Sequence, residues 1–352
     1  MPEFAEFQNL LDALAEPVLV VDTNRQIVLA NRAATVLFGD NLEGQNFVRV
    51  IRYPECLRCV DAVLGGEALS EASFSMPVPV RTTFRIRTQS LKNSDAYPGG
   101  VVVSFRDISH VLEAEQMRSD FVANVSHELR SPLTALSGFI ETLKGPAKND
   151  AATRERFLEI MGREAGRMNR LIGDLLSLSK VEVNEHVRPT DPVDIYAVLQ
   201  RVIAQLQPLA ETAEVKVNLV VPEFSNSIPG DEDQLVQVFQ NLIENAIKYG
   251  GSSGKVLVSI NAHERAANFN RPCISVAIQD FSEGIAAEHV VRLTERFYRV
   301  DDHRSREKGG TGLGLAIVKH IINRHRGRLN IASVEGEGST FTVLLPQKAG
   351  LG

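Results

Sequence analysis

The chain has 352 residues, 43% of them hydrophobic and 23% charged, with a formal net charge of -6. That length predicts two or three domains, and the apolar content suffices for each to bury a core. The acidic balance offers no basic face for nucleic acid, and no apolar run approaches the roughly 20 residues of a membrane helix. The opening MPEFAEFQNL lacks the basic region of a secretory signal, so a cytoplasmic chain is expected, held at a membrane only through partners or segments outside this sequence. Three cysteines argue against a disulfide framework. Cys56-Leu57-Arg58-Cys59 is a single CxxC with no second pair and no nearby histidine to complete a metal site.

In chain order, the apolar run Val18 to Val21, the turn-like Asp22-Thr23-Asn24-Arg25 and the apolar run Ile27 to Ala30 predict two strands joined by a turn. Asn31 sits where the cap of a following helix would. Phe84 and Ile86 alternate with Arg85 and Arg87, Val101 to Phe105 is β-rich, and the segment closes on Arg106-Asp107-Ile108-Ser109. This outline resembles a PAS sensor domain, which typically ends in Asp-Ile-Thr or Asp-Ile-Ser before a coupling helix. No histidine precedes His110, so an axial histidine for haem is lacking and the stimulus is not legible.

From Val111 the pattern turns helical, with no proline until Pro132. At about 100° per residue, Val122, Val125, Leu129, Leu133, Leu136, Ile140 and Leu143 form a stripe roughly 80° wide, and His127 lies about 160° from its centre. A packed helix must therefore expose His127. A solvated surface histidine would satisfy that pattern, but Glu128 adjoins it and can hold one ring nitrogen. Pro132 has no amide for the carbonyl of Glu128, so a bend beside the histidine is expected. Gly145-Pro146 ends the helix, and a second runs from about Ala152 to Lys180 with apolar residues three and four apart. Two such helices cannot cover both stripes alone, so pairing with a second hairpin as a four-helix bundle, and hence a homodimer, is expected.

The run His127-Glu128-Leu129-Arg130-Ser131-Pro132-Leu133 resembles the phosphoacceptor motif of sensor histidine kinases, usually His-Glu-Leu-Arg-Thr-Pro-Leu. The resemblance makes His127 the phosphorylated residue and Glu128 the group that orients or deprotonates it. It gives Ser131, in the threonine position, a part in dephosphorylating the partner.

Arg188-Pro189-Thr190-Asp191-Pro192 reads as a linker, beyond which helices alternate with strands such as Val215 to Val221, Val256 to Ile260, Cys273 to Gln279 and Thr340 to Leu345. In the helix from Asp231 to Tyr249, Leu235, Val238, Phe239, Leu242, Ile243 and Ala246 make the buried side. Asn241, Asn245 and Lys248 share the opposite face within about 60°, a set suited to a metal-bound triphosphate or to plain solvation. Gly309-Gly310-Thr311-Gly312-Leu313-Gly314-Leu315 precedes an apolar helix, where glycines and a helix N-terminus favour phosphate. These segments resemble the N box and G2 box of histidine kinases, and Arg296 to Asp301 resembles the F box. By that resemblance Asn245 is the Mg²⁺ ligand, and Asn241, Lys248 and Tyr249 line ATP. Gly310, Gly312 and Gly314, with Thr311 and Leu313, hold its phosphates, Arg299 faces the γ-phosphate, and about 286–309 is a mobile lid.

The G1 box, usually Asp-x-Gly-x-Gly, stands here as Asp280-Phe281-Ser282-Glu283-Gly284. Asp280 keeps the acceptor for the adenine amino group and Gly284 remains. If the Ser282 position needs a positive φ, its side chain costs on the order of 1 kcal/mol.

The expected architecture is a multidomain α/β and α+β chain. Residues 1–110 would form the PAS domain, 111–187 the helical hairpin, and 188–352 an ATP-binding α/β sandwich of Bergerat type. The resemblance covers nearly the whole chain and implies autophosphorylation of His127 from ATP and Mg²⁺, then transfer to an aspartate in the receiver domain of a response regulator. Within the family the motifs look most like phosphate-regulon sensor kinases, which implies phosphate-starvation signalling and an accessory protein at the PAS domain. The alternative, favoured by the altered G1 box, is a non-catalytic or phosphatase-dominant scaffold with weak nucleotide binding.

Overall fold

The computed structural model describes residues 8–77, 82–92, 99–183, 187–220, 227–250, 254–264, 269, 272–300 and 310–347. The chain divides into two compact units, Met1–Ala123 and Asn124–Gly352.

The first unit is a five-stranded antiparallel sheet of order β2-β1-β5-β4-β3. Its strands are β1 (Val18–Asp22), β2 (Ile27–Ala30), β3 (Leu69–Met76), β4 (Thr82–Leu91) and β5 (Gly100–Asp107). Helices α1 (Arg32–Phe38), α2 (Phe47–Val50) and α3 (Pro54–Leu64) lie between β2 and β3 in the chain. Leu19, Ile27, Phe47, Ile51, Ile86, Val103 and Phe105 are fully or almost fully buried in its core. Asn31 caps α1 as expected, but it does more. Its buried amide oxygen accepts from the backbone of Val18 and of Ala34, each at 2.9 Å, and its amino group donates to the carbonyls of Glu16 and Leu11. One side chain thus closes β1, α1 and the segment before them. Cys56 and Cys59 of α3 both point into the core, and burial pushes the Cys56 thiol up to about 12. The CxxC is a pair of buried core residues.

Helix α4 (Ser109–Lys144) is unbroken, with Pro132 inside it, and the antiparallel partner expected from residue 152 is α5 (Ala151–Val183). Beside the proline, the Ser131 hydroxyl donates to the carbonyl of His127 at 3.1 Å and Thr134 to that of Arg130 at 3.0 Å, side chain bonds of the kind that accompany irregular helix backbone. Leu133 and Ile140 of α4, and Leu158, Ile172 and Leu176 of α5, remain exposed.

Beyond the hairpin, β6 (Asp191–Asp194) pairs with β8 (Ser227–Gly230). The main sheet has the order β11-β12-β10-β9-β7, built from β7 (Lys216–Val220), β9 (Lys255–His263), β10 (Cys273–Asp280), β11 (Arg328–Val334) and β12 (Gly338–Pro346). Its β7 to β9 pairing is parallel and the rest are antiparallel. Helices α6 (Ile195–Thr212), α7 (Glu232–Tyr249) and α9 (Gly314–Arg324) cover the sheet, and α8 (Ala287–Val290) is a single turn. The apolar side of α7 read from the sequence is buried at all six positions, which turns Asn241, Asn245 and Lys248 outward.

A buried histidine fixes α7 against α9. Nε2 of His325 accepts from the Asp231 amide at 3.0 Å while Nδ1 donates to the Ile321 carbonyl, so the ring is neutral. Burial lowers its pKa below the ordinary 6.5, aided by Arg324 and Arg188 and opposed by the Ile321 bond and Asp231. Below about pH 6.5 the unfolded chain takes up a proton that the folded chain refuses, so stability falls as pH falls. In urea unfolding of the full chain, the drop in midpoint between pH 7.5 and 5.5 should be smaller for His325→Gln than for the native protein. An equal drop contradicts this role.

Candidate active site

The polar face of α7 forms one wall of a cavity of about 530 Å³, in the size range of small-ligand sites. Asn241, Glu244, Asn245, Lys248 and Tyr249 all line it. Opposite stand Asp280, Ser282 and Gly284 from the end of β10 and its loop, and Gly310, Thr311, Gly312 and Gly314 from the glycine loop. Arg299 lines it as well, and Arg170, Gly173 and Asp174 of α5 close one side. Of the nucleotide residues named from the sequence, only Leu313 is not brought to the cavity. Its side chain is fully buried and its amide donates to the Thr311 hydroxyl, because a helix starting at Gly314 needs an apolar residue beneath its first turn.

The loop after β10 shows why the strain expected at Ser282 is absent. Ser282 is not among the residues with positive φ, whereas Gly284 has φ +72° and a Cβ there would lie 2.1 Å from the Val334 carbonyl oxygen. The left-handed position is thus the second of the two glycine sites in the motif. Ser282 instead builds the turn. Its amide and that of Ser339 donate to Asp280 Oδ1 at 3.1 and 3.2 Å, and its hydroxyl accepts from Gly284 at 3.2 Å. Asp280 is held in place with only 4% of its surface exposed.

The glycine loop meets the segment before it at Gly312, where φ is +73° and an added Cβ would lie 2.8 Å from Phe297 Cα. Thr311 donates to Asp174 Oδ2 of α5 at 2.7 Å. Burial raises the pKa of Asp174, the Thr311 bond opposes that rise, and the nearby charge of Glu244 adds to it. Further polar pairs between the hairpin and the rest of this unit are Ser177 with Gln237 at 2.8 Å and Arg296 with Glu182.

His127 is exposed, as its place on the helix requires. Glu128 does not hold the imidazole in this structure. Its Oε2 accepts from Arg167 at 2.6 Å and from Arg299 at 3.2 Å, with side chains of Glu128 and Arg299 only 13% and 4% exposed. Sequence spacing carries no sign of Arg167 or Asp174, since both lie on a helix whose pattern marks only its apolar positions. Residues 301–309, the latter part of the expected lid together with the first glycine of the loop, lie outside the described residues.

The residues lining the cavity include Asn241 and Asn245, which carry amide oxygens, and the carboxylates Glu244, paired with Lys248 at 2.6 Å, and Asp174. Oxygen ligands suit a hard divalent cation such as Mg²⁺. Among the described residues no group of three or more His, Cys, Asp or Glu side chains could hold a metal, so such an ion would take the rest of its shell from water and ligand phosphate oxygens.

Two glycines separate backbone conformation from crowding. Gly284→Ala meets the Val334 carbonyl, whereas Gly336→Ala has φ +85° and open space around it. Gly336→Ala should cost about 1 kcal/mol of stability and leave ATP affinity within about twofold. Gly284→Ala should weaken ATP at least tenfold in titration calorimetry. Equal affinities for the two variants would contradict the assigned loop geometry.

The histidine kinase-, DNA gyrase B-, and HSP90-like ATPase family matches residues 230–349, the His Kinase A (phospho-acceptor) domain matches 117–184, and the PAS fold matches 5–60. The chain is 36% identical over 339 residues to the phosphate regulon sensor protein PhoR of Pseudomonas aeruginosa, covering 95% of this chain and 73% of that protein. It is 30% identical to the sensor protein kinase WalK of Staphylococcus saprophyticus over 98% of this chain, but spans only 55% of that protein. The solved histidine kinase ThkA, in complex with the response regulator TrrA, shares the fold at TM-score 0.51 and 19% identity, covering 97% of this chain and 98% of that one. No helix among the described residues is long and apolar enough to cross a membrane. With a cavity walled by the ATPase motifs, an exposed histidine on the hairpin and similarity to PhoR along nearly its whole length, the chain belongs to the sensor histidine kinase family.

Proposed function

We propose that this chain autophosphorylates His127 from ATP and passes the phosphoryl group to an aspartate in the receiver domain of a response regulator. The observation that carries the reading is Arg299, which lines the nucleotide cavity and also bonds Glu128, the neighbour of the exposed His127. Cavity and acceptor are therefore linked by one side chain within one compact unit.

In this reading a neutral imidazole nitrogen of His127 attacks the γ-phosphorus, the bond to the β-phosphate oxygen breaks, and ADP leaves. Phosphoryl transfer is mainly positioning and charge stabilisation. Asp280 accepts from the adenine amino group, and the amides of Gly310, Gly312 and Gly314 approach the phosphates. Lys248 and Arg299 offset their charge. Asn245 would hold Mg²⁺, which when bound would supply positive charge against the phosphates. Arg299 serves two anionic partners in turn: paired with Glu128 before ATP binds, it is drawn to the γ-phosphate afterwards. Glu128 then keeps Arg167 and gains the freedom to orient the His127 ring. Ser131, one turn beyond His127, would help a water reach the regulator's phospho-aspartate.

The exposed apolar residues of α4 and α5 support a homodimer with a four-helix bundle, residues 111–187 supplying the hairpin and 188–352 the ATP-binding module. Similarity to PhoR supports phosphate limitation as the signal, received at residues 1–110, where an accessory protein would dock. ThkA was solved with a response regulator bound to it, in line with the transfer proposed here.

Incubation with γ-labelled ATP and Mg²⁺ should label the native protein in an acid-labile, alkali-stable form, as a phosphoramidate requires. His127→Gln should abolish the label and leave ATP affinity unchanged. Label persisting on His127→Gln would overturn the assignment.

A further inference from the structure

The loop after β10 departs from the family motif at one residue, and the hydrogen bonds there leave two polar groups of Asp280 and Ser282 unused. Asp280 Oδ1 accepts from the amides of Ser282 and Ser339, while Oδ2 has no partner among the described residues. The Ser282 oxygen accepts from the Gly284 amide. A hydroxyl has one proton to give and two lone pairs, and the Ser282 proton has no acceptor among the described residues. Both residues line the nucleotide cavity. The site therefore presents, two residues apart on one turn, a carboxylate oxygen that can only accept and a hydroxyl with a proton left to donate.

We propose that Ser282 is a specificity-determining residue that donates to N1 of the adenine ring, directly or through one water, while Asp280 Oδ2 accepts from the N6 amino group. This rests on the nucleotide-binding role proposed above and adds to it a second contact that a glycine at position 282 could not make through a side chain. Adenine shows a donor at N6 next to an acceptor at N1, which matches the pair. Guanine shows an acceptor at O6 next to a donor at N1, which sets its carbonyl against the Asp280 carboxylate. A site that hydrogen-bonds a polar edge rejects an analogue lacking that edge, because its own groups are left unpaired. The serine that looks like damage to the motif thus acts as a reader of the base.

The test compares ATP with 1-deaza-ATP, in which a C–H replaces N1, by titration calorimetry on the full chain. The native protein should bind ATP about three- to tenfold more tightly than the analogue, the range that one neutral hydrogen bond supplies. Ser282→Ala should lose that same factor for ATP and nothing for 1-deaza-ATP, and Ser282→Thr should restore the preference. If Ser282→Ala weakens both nucleotides equally, the serine only holds the Gly284 turn and the proposal fails. If the native protein binds the two equally, the N1 contact does not exist. Failure of the native protein to bind ATP at all would overturn the nucleotide-binding reading itself, a different result from either.

Discussion

One carboxylate, that of Glu128, joins the hairpin to the nucleotide side of the same compact unit. Two arginines meet its Oε2, Arg167 from the hairpin at 2.6 Å and Arg299 from the nucleotide side at 3.2 Å. With Glu128 and Arg299 both largely removed from solvent, neither charge can be left alone without a large desolvation cost. Such a cost makes the pair a discriminating contact rather than a passive one. Arg299 can leave Glu128 only for another anion, and the cavity it lines is where a triphosphate would supply one.

Other polar ties join the hairpin to the ATP-binding region, beside the apolar packing of α5 on α9. Thr311 with Asp174, Ser177 with Gln237, and Glu182 with Arg296 and His320 are polar contacts, each of modest net energy. The core of the ATP-binding region is separately closed by the apolar sides of α6, α7 and α9 on the sheet. A module with its own core, docked on α5 through polar pairs and an apolar seam at Leu171, Leu178 and Val181, can move as a unit while its own core stays closed. Transfer from a nucleotide to a histidine on a helix, and later from that histidine to another protein, requires this.

Periodicity makes the helices and the facing of their side chains legible. The exposure of His127, the six buried positions of α7 and the cap at Asn31 follow from local geometry, which acts over a few residues and leaves its mark in spacing. The contacts that define the site do not. Glu128 and Arg299 are separated by 171 positions and Asp174 and Thr311 by 137, and no pattern within either segment points to the other. The part played by Ser282 is hidden for a related reason. The motif shows two glycine positions, but only backbone geometry shows that Gly284 alone takes the left-handed conformation. With that strain gone, the altered motif no longer argues for a scaffold that binds nucleotide weakly.

The central claim, that Arg299 exchanges between Glu128 and the nucleotide, is tested most directly by a double-mutant cycle on the affinity for a non-hydrolysable ATP analogue. Removing the competing carboxylate in Glu128→Gln should tighten binding several fold, and Arg299→Ala should weaken it. In the Arg299→Ala background, Glu128→Gln should then have no effect, since the group it releases is gone. An unchanged affinity in Glu128→Gln with Arg299 present, or the same gain with Arg299 absent, would contradict the exchange.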